Sequence, residues 1–497
     1  MVAGPVGNDC SCVKQNLCKR ESDRILKISE KPYRILFLVD HKHRDLPGLS
    51  LIGYYLKKRG FEVKFVALWQ EEELIKDFDP GFLVLPKPLY DVRRLLVYKS
   101  SGRKIIVINT EGNPQDKEFK MNIAIEPDLY FYWNQSQYNL ESDLFDQSGT
   151  IREVVGCPRL DFYTKSFSGL FPSREDILQK HRLDPSNKTV TIATSTQDAD
   201  FSEADLADIE KNRNKILSKT AEYREIVENM RLLRQFTTDV ICRLAKEFDN
   251  INIIVKPHPN ENIRYWRDLV GSFDENKFVR LCVGEPINHL LNVSDVHVAL
   301  NVCTTTSEAM LSGVPTIELH SDKSKKLYDP EHLYLADFCV DNLPAALASI
   351  SKVLNTGNGS EEEKENENNK INRYVSKYFF KHDGKRCLAH AESIERFARN
   401  SSQNPHSVIK FWKANKSLFI LYLILTGRRF LGVLKRSLLV TSKNTSQQSG
   451  FVDDRGRFDN RIKQGDELYW YGKYEEARIE YITQNHDGKV IGRKKIN

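Results

Sequence analysis

The sequence predicts an α/β protein built from two facing Rossmann-like, doubly wound domains, followed by a basic and mainly helical C-terminal extension. Two observations support the domains. Short apolar, strand-like runs alternate with helical segments, and the alternation comes in two successive blocks of roughly 150 residues, each large enough for its own core. A third observation sets off the extension, because residues 401–450 hold eight Lys or Arg and no Asp or Glu. The expected boundaries are a flexible tail over 1–30, a first domain over 31–165, a second over 166–400 with a polar loop at 355–370, and the extension over 401–497.

In the first block RILFLVD (34–40) reads as a buried strand, LSLIGYYLKKRG (49–60) as a helix stopped by glycine, and FEVKFVAL (61–68) as the next strand, which makes a right-handed βαβ unit. GFLVLPK (81–87), KIIVINTEG (104–112) and DLYFYWN (128–134) add strands, and REVVGCPRLD (152–161) closes the half. The second block starts at KTVTIATST (188–196), passes a polar helical stretch to about residue 247, and continues through NINIIVKPHP (250–259), FVRLCV (278–283), VHVALNV (296–302) and PTIELH (315–320). NTGNGSEEEKENENNK (355–370) has no apolar periodicity and reads as a loop, and LAHAESIERFARN (388–400) as a helix packed back on the body.

The 497 residues are 40% hydrophobic and 29% charged with a net charge of +6, which is ordinary for a globular chain and gives no argument for nucleic acid. Nine cysteines without a regular framework suit a reducing compartment, so a cytoplasmic protein is expected. Cys10, Cys12 and Cys18 cluster without a fourth ligand nearby and are read as tail rather than a zinc site. No signal-peptide pattern opens the sequence, and the longest apolar run, Ser417–Leu425, is too short to span a bilayer, which needs about 20 residues.

Ligands of doubly wound sheets bind beyond the carboxyl ends of the strands, so the residues there are the candidates. The first half offers Asp40, His41, Lys42, His43 and Arg44, then Asn109, Thr110 and Glu111; the second offers Thr194, Ser195 and Thr196, then Lys256 and His258, then Cys303, Thr304, Thr305, Thr306, Ser307 and Glu308. In NVCTTTSEAMLSGVP (301–315) hydroxyl residues sit where a strand gives way to a helix, a place where backbone N–H groups and hydroxyls hold a phosphate. The competing reading is a capping box between Thr305 and Glu308. His258, stiffened by Pro257 and Pro259, can donate to a phosphate oxygen beside Lys256. Glu111 is the first candidate for a general base and Asp40 its competitor, each otherwise a helix cap. His41, Lys42 and Arg44 fall on the acceptor side.

VKPHP (255–259), SDVHVALNVCTTTSEAMLSGVP (294–315), VVGCPRLD (154–161) and DHKHRDLPGLSLIGYYLKKRGFEV (40–63) together resemble the bacterial surface carbohydrate biosynthesis proteins, transferases of GT-B type akin to capsule Kdo transferases, polysialyltransferases and the CDP-glycerol glycerophosphotransferases of teichoic acid synthesis. The resemblance runs over residues 33–350. It implies that His258 contacts the donor's phosphate, that Thr304, Thr305 and Glu308 bind phosphate and ribose, and that Glu111 supplies the base. Cys303 stands where relatives often have serine. It also implies a nucleotide-activated donor, CMP- or CDP-linked first and UDP- or GDP-linked as alternatives, with no tightly bound cofactor or metal, and a glycan or lipid-linked glycan acceptor.

Three other readings compete. HPN (258–260) resembles a motif of UDP-N-acetylglucosamine 2-epimerases, whose phosphate turn is a Ser-Gly-Gly run rather than CTTTSEA. A non-catalytic carbohydrate-binding scaffold is the second. The third, nucleic acid, is disfavoured because the basic residues of 408–440 surround Phe411, Trp412, Phe419, Ile420 and Leu423, a mixture that suits the inner membrane surface or a helix packed on the body. DELYWYGKYEEARIEYI (466–482) reads as an aromatic-rich amphipathic helix.

Overall fold

The computed structural model describes residues 33–68, 70–87, 92–110, 126–141, 149–213, 220–300, 303–327, 335–355 and 361–401, together with Trp470 and Lys473. Among them β1 (Arg34–Val39), β2 (Glu62–Ala67), β3 (Phe82–Leu85), β4 (Lys104–Ile108), β5 (Leu129–Tyr132) and β6 (Ile151–Val154) form one six-stranded sheet in the order β2-β1-β3-β4-β5-β6. β7 (Lys188–Ala193), β8 (Ile251–Lys256), β9 (Val279–Leu281), β10 (Val296–Leu300), β11 (Thr316–Leu319) and β12 (Phe338–Val340) form a second, ordered β12-β11-β10-β7-β8-β9. Every pairing in both is parallel.

The continuous apolar runs explain this architecture. A parallel strand covered by helices on both faces needs no polar face, and in β1 Ile35 and Phe37 enter one core while Leu36 and Leu38 enter another, all fully buried. The edge strand β2 instead alternates exposed and buried residues. The helices of the first half are α1 (Lys42–Lys58), α2 (Glu71–Phe78), α3 (Val92–Ser100) and α4 (Gln135–Leu140). Those of the second are α5 (Arg174–Lys180), α6 (Glu203–Arg213), α7 (Thr220–Glu247), α8 (Ile263–Gly271), α9 (Ile287–Leu291), α10 (Thr304–Leu311), α11 (Asp322–Leu327) and α12 (Leu343–Asn355), after which come α13 (Glu361–Tyr378) and α14 (Arg386–Asn400). Two doubly wound domains in this facing arrangement are the GT-B architecture.

The strand orders fix where ligands can enter. The chain of the first sheet leaves β1 for β2 on one side and returns past it to β3; the second winds outward from β7 and returns to β10 on its other side. The crevices between β1 and β3, and between β7 and β10, are therefore the topological switch points.

Between the sheets the chain turns at Gly156, whose φ of +96° and proximity to Arg386, 2.7 Å from where a Cβ would sit, both demand glycine. Two 3-10 turns follow, Pro158–Tyr163 and Lys165–Leu170. The Asp161 carboxylate accepts hydrogen bonds from the backbone N–H groups of Arg386 (2.9 Å) and Cys387 (2.7 Å), which fastens the N-terminus of α14 to this connection. Residues 386–400, grouped by sequence with the second domain, cross back: Cys387, Ala391, Ile394 and Ala398 are fully buried in the core that also holds β1 and α1. An amphipathic stripe tells which helix face is apolar, not which sheet will cover it. The 355–370 segment also departs from a loop, since α13 begins at Glu361, where a run of glutamates with high helix propensity starts. The tail 1–30 and the basic stretch 408–440 lie outside the described residues, but Trp470 is buried in the first core, 6.0 Å from the Phe162 ring.

Candidate active site between the two sheets

Both switch points open onto one cleft with a cavity volume of about 600 Å³. The first domain contributes Asp40, His41 and Arg44; the second contributes Thr194, Ser195, Lys256, His258, Cys303, Thr304, Thr305 and Glu308. Lys42 is not among the cleft residues, and neither are Thr306 and Ser307. Successive residues of α10 point about 100° apart, so Thr304, Thr305 and, one turn on, Glu308 share the cleft face while Thr306 and Ser307 do not. The Thr306 hydroxyl turns inward to Glu318 (3.0 Å), and Ser307 lies 3.4 Å from the Tyr374 hydroxyl. Glu111 is outside the described residues; Thr110, just before it, lines the cleft.

The Pro-His-Pro turn is built around a residue to which sequence reasoning gave no role. Glu261 is buried, and its carboxylate accepts from the Thr194 hydroxyl, the Thr196 N–H and hydroxyl (2.5 Å each) and the His258 N–H (2.8 Å). It thereby ties the ends of β7 and β8 together. Burial pushes this carboxyl up while those donors pull it down. His258 Nδ1 accepts from the Asn260 N–H (3.2 Å), and in the neutral ring that leaves Nε2 to carry the proton. His258 itself lines the cleft.

The opposite wall repeats the device. α1 starts earlier than the sequence suggests, at Lys42, because His41 acts as its N-cap: Nδ1 accepts from the Arg44 N–H (3.2 Å), while the Asp45 carboxylate accepts from the His41 N–H (3.0 Å). The proton again belongs on Nε2, which is buried and has no hydrogen-bond partner among the described residues. Burial, and then the positive neighbours Arg44, His43, Lys256 and His258, hold the imidazole well below its ordinary pKa. Asp40 Oδ2 lies 3.1 Å from Lys87 Nζ and 3.8 Å from Arg44, bridging the first switch point.

Lys256 Nζ donates to the Val283 carbonyl (3.0 Å), and burial lowers its pKa to about 8 against the pull of Cys282, Glu285 and Glu261. Cys303 is the N-cap of α10, and it lines the cleft together with Thr304 and Thr305 at the start of that helix. Glu285 is clamped between His289 (2.6 Å), His181 (3.2 Å) and Lys180 (2.5 Å); burial raises its pKa, but the hydrogen bonds from His181, His289 and Lys180 hold it far below the usual carboxylate range.

Glu308 meets a second unassigned residue. Arg159, from the motif GCPRLD, brings Nε to 3.2 Å from Glu308 Oε1, with both side chains largely buried. The approach is an ion pair without hydrogen-bond alignment, because Arg159 Nε counts no hydrogen-bond partner. Burial raises the Glu308 carboxyl; Arg159 and the Tyr163 hydroxyl act against it. Gly48 of α1 lets the connection approach, for a Cβ there would stand 3.1 Å from the Arg159 backbone nitrogen. The guanidinium lies 5.2 Å from the Trp133 ring centre, so one cation links the connection, the first domain and α10. A signal for Glu261 did exist, as a carboxylate three residues after a proline-flanked histidine can cap the turn; Arg159 and Asp161 stood in a motif whose spacing names no partner.

Among the described residues no group of three or more His, Cys, Asp or Glu is arranged to hold a metal, and no helix is long and apolar enough to cross a membrane.

No protein-family model and no curated protein matches the sequence. Solved structures do match, at low identity and low TM-scores. The wall teichoic acid polymerase TagF is 12% identical, with 78% of this chain and 96% of that chain covered at a TM-score of 0.47. The UDP-GlcNAc 2-epimerase of Neisseria meningitidis bound to UDP-GlcNAc is 12% identical over 73% of this chain and 100% of that chain, at 0.45. MnaA of S. aureus with UDP is 11% identical over 74% and 98%, at 0.46. Likenesses at these scores assign no activity to the chain.

Proposed function

We propose that the protein is a transferase of surface carbohydrate biosynthesis, moving a sugar or sugar-like group from a nucleotide-activated donor to a glycan or lipid-linked glycan. The observation that carries this reading is the convergence of donor-bearing side chains from independent elements on one cleft: His258, Lys256, Thr304 and Thr305 on one wall, and His41 and Arg44 on the other. Such an array suits the phosphates of a donor and the charge that grows on them as the bond to the sugar breaks.

In this reading the donor's phosphates rest against Lys256, His258, Thr304 and Thr305, with Thr194 and Ser195 beside them, and the ribose lies toward Glu308. The acceptor hydroxyl enters from the wall of Asp40, His41 and Arg44. It attacks the activated carbon, the bond to the phosphate oxygen breaks, and the nucleotide leaves with that electron pair. Glu111 or Asp40 takes the hydroxyl proton. His41 is not the base in this reading, because Nδ1 is occupied by the Arg44 N–H and Nε2 is buried. A CMP- or CDP-linked donor is favoured ahead of UDP or GDP, by the sequence resemblance alone. The enzyme would work in the cytoplasm at the inner membrane face, with 408–440 as the contact.

The test is product analysis with the purified full chain, nucleotide-sugars and a lipid-linked glycan extract. Release of nucleotide together with label in the glycan supports transfer. Conversion of UDP-GlcNAc to its 2-epimer without a glycan product would replace transfer by epimerisation, and donor binding without turnover of any kind would leave a carbohydrate-binding scaffold.

A further inference from the structure

Resting on the reading that the N-terminus of α10 takes a phosphate, we infer that His297 is a positioning residue that orients the Thr305 hydroxyl toward the bound anion.

His297 is the second residue of β10, between Thr191 of β7 and Thr316 of β11 in register, and is completely buried. A parallel central strand has every reason to be apolar at such a position, and its neighbours Val296 and Val298 are. The imidazole therefore carries a cost that only a specific contact offsets. That contact is with Thr305, whose Oγ1 lies 3.2 Å from His297 Nε2. The two flanking hydroxyls are committed elsewhere, Thr191 to Ser294 (2.6 Å) and Thr316 to Asp337 (3.0 Å). His297 Nδ1 is buried and has no hydrogen-bond partner among the described residues. Burial pushes the ring down to about 3, so it is neutral throughout the working range.

A neutral ring has one proton, and its place decides what Thr305 can do. With the proton on Nδ1, a buried N–H would be orphaned, the rarer and costlier defect; with it on Nε2, the orphan is a bare acceptor. The second tautomer donates Nε2–H to Thr305 Oγ1. Thr305 then has its own proton to give away, and among the described residues the acceptor it reaches is the Cys303 sulfur, a weak one. A phosphate oxygen at the α10 terminus displaces that sulfur. The imidazole thus sets the direction of a hydroxyl that lines the cleft without touching the ligand itself.

The experiment is calorimetric titration of the full chain with inorganic pyrophosphate and with CDP, UDP and GDP, each beside its nucleoside. His297→Leu is expected to weaken diphosphate binding about three- to tenfold, as Thr305→Ala does, and to leave nucleoside binding unchanged. The double variant His297→Leu/Thr305→Ala should bind no more weakly than Thr305→Ala alone, and His297→Gln, whose amide can reach Oγ1, should recover most of the loss. A Thr305→Ala defect with wild-type binding in His297→Leu, or additive losses in the double variant, overturns the inference and leaves the phosphate reading standing. Undiminished diphosphate binding in Thr305→Ala overturns the phosphate reading at this turn, and the inference with it. Should His297→Leu fail to fold, His297→Gln and Thr305→Ser decide: both should bind within about twofold of the parent, and a Gln variant as weak as Thr305→Ala sinks the relay.

Discussion

Replacing Glu261 by Gln changes one oxygen into an NH2 group and leaves the size of the side chain unaltered. In the parent, each carboxylate oxygen takes two donors: Oε1 the N–H and hydroxyl of Thr196, Oε2 the Thr194 hydroxyl and the His258 N–H. A glutamine can satisfy only one of these pairs. Whichever way the amide is placed, its NH2 meets one hydroxyl, which can rotate and accept, and one backbone N–H, which cannot. One backbone bond to a charged acceptor is lost, worth about 1.5–3 kcal/mol, and a buried N–H is left facing another donor, so the expected destabilisation is about 2–4 kcal/mol. If the conflict falls on the His258 N–H, the turn shifts and His258 leaves its place in the cleft, so nucleotide affinity should fall with stability. Urea unfolding of the full chain and calorimetric titration with the best-binding nucleotide read both effects. A Glu261→Gln protein within about 0.5 kcal/mol of the parent, with unchanged affinity, would refute the claim that this carboxylate holds the turn.

Other perturbations follow from the same geometry. Arg159→Met strands the buried Glu308 carboxylate and should cost about 3–5 kcal/mol in urea unfolding, most of it recovered by Glu308→Gln in the same chain; two singles and a double that simply add would deny the ion pair. Because Lys256 titrates near 8, it is an ammonium below that pH and an amine above it, so the Kd of an anionic nucleotide should rise by up to about tenfold per unit above pH 8, and a flat profile to pH 9.5 would remove Lys256 from the site. Asp161→Ala orphans the first two amides of α14 and should cost about 1–2 kcal/mol, with faster hydrogen exchange at Arg386 and Cys387 as the local readout.

The sheets were legible because buried parallel strands announce themselves as short runs rich in apolar and β-branched residues: RILFLV, KTVTIA and INIIVK are β1, β7 and β8. Strand ends followed directly, and with them Asp40, His41, Lys256, His258 and the α10 turn, which the fold brings to one cleft. What required three dimensions was direction and partnership. Whether Thr305 or Thr306 faces the ligand depends on how α10 sits on its sheet, and the hydroxyl count alone could not separate them. Arg159 and Glu308 lie 149 residues apart in numbering and meet only when the domains face each other. The start of α1 was hidden because histidine is an uncommon cap and Pro47 falls within the helix.

The measurement that bears most directly on the central claim is thermal unfolding of the purified full chain with CMP, CDP, UDP, GDP and their sugar conjugates, in parallel with His258→Ala. The account predicts stabilisation by one nucleotide series, reduced or lost in the variant, which should otherwise unfold like the parent. Stabilisation undiminished in His258→Ala, or none by any nucleotide in a folded parent protein, would contradict it.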